Sequence, residues 1–340
     1  MKDGMKQRDY YFDNVKFILI LLVVVSHAIR PMLNESDLLK TLYLTMFSFH
    51  MPLFILIAGY FAKNFRKPEQ NKKILVTIFI PYVIFQTLYL VFDYVLYRPS
   101  EWNGSIFDPY WIMWFLLSLF LWRLILPYFI QLKHPLILSV ILAILIGYVS
   151  DADDFLSLSR TVAFFPFFLA GFYLKRHHFE KLFSPWKRVT AVLGLIGITA
   201  FLYYLEFHSP LGLSIRKWLY FVFPYEEVGH GEWYAGVHRL FFYGLAVLSS
   251  IFVLTLIPQR KSIISRWGAR SLYVYVWHGF FIEIYKALDL KDILPSPYQH
   301  VVIMAGAVLL TCFLASNFVQ KITRPLVQPR LEWLFQKNNR

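Results

Sequence analysis

Tyr11–Pro31 reads YFDNVKFILILLVVVSHAIRP. Its middle, FILILLVVVS, is apolar on every face, which no amphipathic surface helix of a soluble domain would be. A helix needs ~20 residues to cross a ~30 Å hydrocarbon core, so this segment reads as a membrane span. The polar residues at its two ends fall on one side of that helix. Lys16 and His27 stand eleven residues apart, three turns at ~3.6 residues each, and therefore lie ~16 Å apart along one face. Asp13 and Arg30 extend the stripe by three residues at either end.

Comparable apolar runs recur through the whole chain. Of its 340 residues, 58% are hydrophobic and only 16% charged, against ~25% charged in a soluble domain. The pattern predicts an all-α polytopic integral membrane protein, a single domain over 1–340 with no separate soluble domain. About ten transmembrane helices are expected, near 15–34, 42–62, 74–97, 110–131, 134–150, 159–174, 188–207, 237–257, 271–288 and 298–318. The first run lacks a small-residue cleavage site and reads as a retained helix. Most of the 34 Lys and Arg fall in Lys63–Lys73 (KNFRKPEQNKK), Lys175–Arg188 (KRHHFEKLFSPWKR), Pro258–Arg270 and the tail after Lys321. All four segments lie on the side of the N-terminus. Because Lys and Arg accumulate on the cytoplasmic side, both termini are expected there, in the inner, cytoplasmic membrane. The net charge of +13 then reflects topology and contact with the lipid bilayer, not nucleic-acid binding. The single cysteine, Cys312, excludes a disulfide framework.

Ionisable groups inside a span are costly and face the bundle interior, where they find partners or water. His27 is one. His50, in FSFHMPLF, lies at the depth that His27 reaches from the other direction, and Pro52 loosens the helix beside it. His278 and Glu283 share SLYVYVWHGFFIEIY, and a mid-membrane Glu283 needs a partner, for which His27 or Arg30 are natural choices. A lone buried histidine is ordinarily a bridge between helices; three on separate spans, with Arg30 and Glu283, point to a substrate cavity. No two histidines share a helix at the four-residue spacing of metal ligands, so no metal is expected. The loop near 207–236 mixes Trp218, Tyr220, Tyr225 and Trp233 with Glu226, Glu227, His230 and Glu232, either as an interfacial aromatic belt or as a sugar-stacking surface.

The segment 11–31 resembles the opening helix of the acyltransferase family 3 membrane proteins: an Asp, a basic residue three positions on, then ten residues and a His, here Asp13, Lys16 and His27. FSFHMPLFILIAGYF at 47–61 and WGARSLYVYVWHGFFI at 267–282 look like further family features, in the same order, and the closest branch is similar to fucose 4-O-acetylases. The resemblance implies acyl transfer, usually from acetyl-CoA, to hydroxyls of a surface carbohydrate or glycoconjugate, with no tightly bound cofactor. It assigns the essential histidine to His27 and its basic partner to Lys16, with Asp13 orienting Lys16. The sequence departs from the family in two places. Lys16 stands where many members carry Arg, and the paired-arginine cytoplasmic motif is reduced to Lys63 and Arg66.

On this reading Lys63, Arg66 and Lys67 hold the phosphates of the acyl-CoA. His27 acts as general base or is itself acylated, and Arg30 or His50 stabilises the oxyanion. With no esterase-like domain expected after the last helix, the chain acylates its acceptor directly or passes the group to a separate extracytoplasmic acceptor protein. The rival class is a transporter or exporter of a glycan or lipid intermediate, since intramembrane His, Arg and Glu also mark transport pathways.

Overall fold

The first helix begins where Asp9 accepts a hydrogen bond from the Tyr11 amide at 3.1 Å, closing one of the donors that a helix leaves open at its start. In the computed structural model α1 therefore runs Tyr10–Ile29, starting before the apolar run. Ser36 caps the Leu39 amide in the same way, and α2 runs Asp37–Tyr60. A short helix Glu69–Ile74 and a wider turn Leu75–Phe79 lead into α3, Ile80–Tyr97. Then follow α4 (Trp114–Phe129), α5 (Pro135–Leu145), α6 (Leu158–Tyr173), α7 (Pro185–Phe207), α8 (Ala235–Leu256), α9 (Ser271–Ala287), α10 (Tyr298–Leu314) and α11 (Asn317–Val327). The structure describes residues 9–63, 69–99, 104–150, 152, 155–210, 214–293 and 298–329; among them there is no strand.

Among the described residues, five helices are long and apolar enough to cross a membrane, six if the bent pair α10–α11 counts as one. Three shorter apolar helices, α4, α5 with its continuation to Tyr148, and α6, stand beside them. Ile137, Ile141, Val189, Leu193 and Ile196 are exposed on α5 and α7, an apolar exterior suited to lipid. The chain is a multi-pass, all-helical membrane protein.

Two sequence boundaries shift for physical reasons. The run expected at 298–318 breaks after Leu314 and turns by 68° into α11. Arg270 fixes that bend, donating to the Ala315 carbonyl and the Gln320 side chain, each at 2.9 Å. The helix expected from 110 begins only at Trp114, because 104–113 is tied to α3 in an irregular conformation. Gln86, fully buried on α3, donates to the carbonyls of Ser105 and Asp108 and accepts from the Tyr110 amide, each at 2.8 Å. Tyr82 adds a bond to the Ile106 carbonyl. Gln86 lies fourteen residues from Lys72 and eleven from Tyr97, the ends of its candidate span, roughly 21 and 16 Å at 1.5 Å per residue. The loop thus packs against α3 near the middle of its candidate span, with its backbone bonded by Gln86 and Tyr82 while Ile106 and Phe107 stay exposed.

Close backbone contact draws the central helices together. A Cβ on Gly59 would lie 1.9 Å from the Phe168 carbonyl oxygen, and one on Gly171 1.9 Å from that of Leu56. α2 and α6 meet through small residues, the usual device where lipid removes the hydrophobic drive between helices.

Candidate active site

The stripe on α1 divides into two functional halves. At the end nearer the N-terminus, Lys16 pairs with Asp13 at 2.8 Å, and its ammonium lies 5.7 Å from the centre of the Phe61 ring. Asn14 beside them donates to the carbonyls of Pro258 (2.7 Å) and Arg260 (3.0 Å) and accepts from the Ser265 hydroxyl (2.7 Å). Gly268 packs so tightly on the Asp13 carbonyl that a Cβ would come within 1.8 Å. This half is a joint between α1 and the segment 258–268. Asp13 and Lys16 do not line the cavity that His27 lines.

That cavity, of about 220 Å³, is enclosed by the far halves of α1 and α2, the 111–115 segment, α6, the 219–223 segment and α9. It gathers His27, His50 and His278 from three helices with Arg30 and Arg160, and none of its described lining residues is a carboxylate. The His27 and His278 rings stack at 5.6 Å, and Trp111 presents an edge-on contact to His27 at 4.7 Å. His278 Nδ1 lies 2.8 Å from the Tyr275 carbonyl and 3.0 Å from that of Val274; His50 Nδ1 lies 2.6 Å from the Met46 carbonyl. Carbonyls only accept, so both Nδ1 atoms carry the proton and both Nε2 atoms present lone pairs. His278 Nε2 and His27 Nδ1 are buried without a hydrogen-bond partner. Imidazoles with free ring nitrogens beside two guanidiniums make a cavity suited to developing negative charge on an oxygen.

Glu283 does not meet His27 or Arg30. It pairs with Lys286 one turn on at 2.7 Å and accepts from the Tyr97 hydroxyl at 2.8 Å, so its charge is met without the cavity. The Lys286 ammonium lies 4.1 Å from the centre of the Trp111 ring, which puts the ion pair behind the indole that touches His27. Lys63 donates to the Leu174 carbonyl at the end of α6 and lies 4.2 Å over the Tyr60 ring, part of the α2–α6 junction. Arg66 and Lys67 lie outside the described residues.

Of the 207–236 aromatics, Trp218 and Tyr225 are buried structural groups, Trp233 is exposed, and Tyr220 lines the cavity. Phe221 takes a left-handed conformation (φ 55°) that ends the short helix Ile215–Tyr220 and turns Val222 and Phe223 to the cavity wall. Buried Arg239 secures this turn through the carbonyls of Ala143 (2.9 Å) and Phe223 (3.2 Å). Sequence reasoning missed Trp111, Arg160, Tyr43 and Tyr275. One signal was available: a lone Gln86 in the run IPYVIFQTLYL, whose amide must be satisfied by something buried. Among the described residues no group of three or more His, Cys, Asp or Glu side chains is arranged to hold a metal ion.

Comparison with known proteins adds the chemistry to this geometry. Nodulation protein NolL of Sinorhizobium fredii is 26% identical over 211 residues, covering 54% of this chain and 56% of that protein. Nodulation protein NolL of Mesorhizobium japonicum is 23% identical over 220 residues, covering 59% and 57%. The chain thus spans a little over half the length of the curated relatives it matches. No solved structure matches. A family model described as an acyltransferase domain matches residues 9–316, which takes in α1 through α10 and every residue of the histidine cavity. The chain belongs to the acyltransferase family 3.

Proposed function

We propose that this protein is an O-acyltransferase of the cytoplasmic membrane that moves an acetyl-type group from a cytoplasmic acyl-CoA to a hydroxyl of a surface or exported carbohydrate. The observation that carries the reading is the cavity itself: three imidazoles from three helices converge with two guanidiniums, around a histidine with an unpartnered nitrogen. In the reaction, the acceptor hydroxyl oxygen attacks the thioester carbonyl while its proton passes to His27. The tetrahedral oxyanion is stabilised by Arg30 or His50, the C–S bond breaks, and the thiolate leaves with the proton that His27 returns. The unpartnered Nε2 of His278 makes it a second acceptor for that proton. Asp13 and Lys16 act at a distance, as an ion pair beside Asn14, which bonds α1 to the 258–268 segment and so sets the height of His27.

The topology that fits this chemistry has ten crossings with both termini cytoplasmic, the basic segments 63–73, 175–188 and 258–270 on the donor side. Lys63, with Arg66 and Lys67, supplies cations for the donor phosphates there. The acceptor arrives from the opposite face, where Arg30 is exposed at the cavity rim.

The test is transfer of radiolabelled acetyl from acetyl-CoA to cell-envelope carbohydrate by membranes carrying the parental chain, His27→Ala or His27→Gln. The variants are expected to lose ~10²–10⁴-fold in rate while eluting as folded protein in detergent. A folded His27→Ala acylating at the parental rate refutes the role of His27. A deletion strain that keeps its ester and traps glycan inside the cell would favour export over acylation.

A further inference from the structure

A second cavity, of about 420 Å³, lies beside the first at the end of α3 farther from the N-terminal face. Among the described residues, Trp111 is the one that lines both. The two differ in the ionisable groups that line them. Among their described lining residues, the histidine cavity has two arginines and no carboxylate, and the second has Asp93 and Asp108, with Tyr94, Tyr110, Ser105 and Trp111, and no basic side chain.

Its walls are fixed. Tyr110 donates to Asp93 Oδ1 at 2.8 Å, and the Asp108 and Ser105 carbonyls are held by Gln86. Trp111 is clamped between His27 and the Lys286 ammonium, itself neutralised by Glu283. Carboxylates accept charge-assisted hydrogen bonds from hydroxyls, and fixed aromatic rings offer apolar surface to the C–H face of a sugar. An anionic sugar would set its charge against the carboxylates of Asp93, half-buried, and Asp108, at the exposed edge, and like charges repel.

We propose that this second cavity is the acceptor subsite: it takes a neutral or amino sugar adjoining the residue that is acylated, and it rejects uronates. The assignment rests on the acyl-transfer reading for the identity of the neighbouring cavity, and the shared indole gives the path from one to the other. Sugar bound against Trp111 in the second cavity has its neighbouring unit directed past the indole toward His27.

Equilibrium dialysis of the purified full chain in detergent against labelled trisaccharides tests it, using matched hexose and hexuronate pairs. Neutral sugars are expected to bind at least tenfold more tightly than their uronates. Asp108→Asn should narrow that preference severalfold, and Asp108→Lys should invert it; Asp93→Asn, which keeps an acceptor for Tyr110, should narrow it with the fold undisturbed. In transfer assays the same variants should raise the acceptor KM about tenfold and leave the acyl-CoA KM unchanged. Equal affinity for both members of each pair, binding of neither, or a preference unmoved by the Asp variants overturns the subsite. Binding needs no chemistry, so parental protein that discriminates between sugars but transfers no acyl group refutes the enzyme reading alone. Transfer with an acceptor KM indifferent to Asp93 and Asp108 refutes the subsite alone.

Discussion

Replacing Gln86 with Leu keeps much of the volume of the side chain but removes its amide donor and acceptor. Three backbone groups, the Ser105 and Asp108 carbonyls and the Tyr110 amide, then lose their bonds inside the bundle. Each buried group left unsatisfied costs about 1–3 kcal/mol. At the low end of that range the three together lose roughly 3 kcal/mol, a shift of about a hundredfold toward loop arrangements that re-satisfy them. Trp111 belongs to this loop and packs edge-on against His27, so its displacement should reach the active site. The expected result is a large fall in kcat/KM for acyl transfer, with greater quenching of tryptophan fluorescence by a water-soluble quencher. The assay is single-turnover transfer on protein checked by size exclusion, with a thermal melt alongside. Parental kcat/KM and an unshifted Tm in Gln86→Leu would show that the loop is not held as described.

Gly59→Ala should destabilise the protein by about 1–3 kcal/mol, since its Cβ would lie 1.9 Å from a carbonyl oxygen that cannot move without the α6 backbone; a melt in detergent reads this. Glu283→Gln should impair folding or activity more than the double variant with Lys286→Met, because the single change strands a partly buried ammonium; a double-mutant cycle on Tm and transfer rate measures the coupling. Arg270→Ala releases the bonds to Ala315 and Gln320 and should make α11 markedly more sensitive to limited proteolysis, with transfer little changed.

The opening helix shows how far local pattern reaches. Asp13, Lys16, His27 and Arg30 are placed on one face by helical period alone, and the structure finds the Asp13–Lys16 ion pair and puts His27 and Arg30 on one cavity. His50 and His278 likewise stand out as polar groups in apolar runs, and both line that cavity. Glu283 was equally conspicuous, yet its partner is Lys286, three residues along its own helix, because a local ion pair costs no reorganisation between helices. The 104–113 loop was hidden: by composition it reads as an ordinary connection followed by a helix, and it is distant side chains, Gln86 and Tyr82 among them, that tie it to the bundle.

Apolar run length, charge bias and periodicity are properties of contiguous windows, and the free energy that governs them is the transfer of each window between water and lipid. That is why the sequence by itself determined a helical membrane protein with a polar stripe in its first span, and why its three motifs pointed to the family. Contacts between distant segments depend on which side chains and backbone groups can satisfy one another once the helices pack. Tertiary structure alone therefore decided that three helices bring their imidazoles together, that Trp111 stands between two cavities lined by different ionisable groups, and that Arg160 faces the histidines.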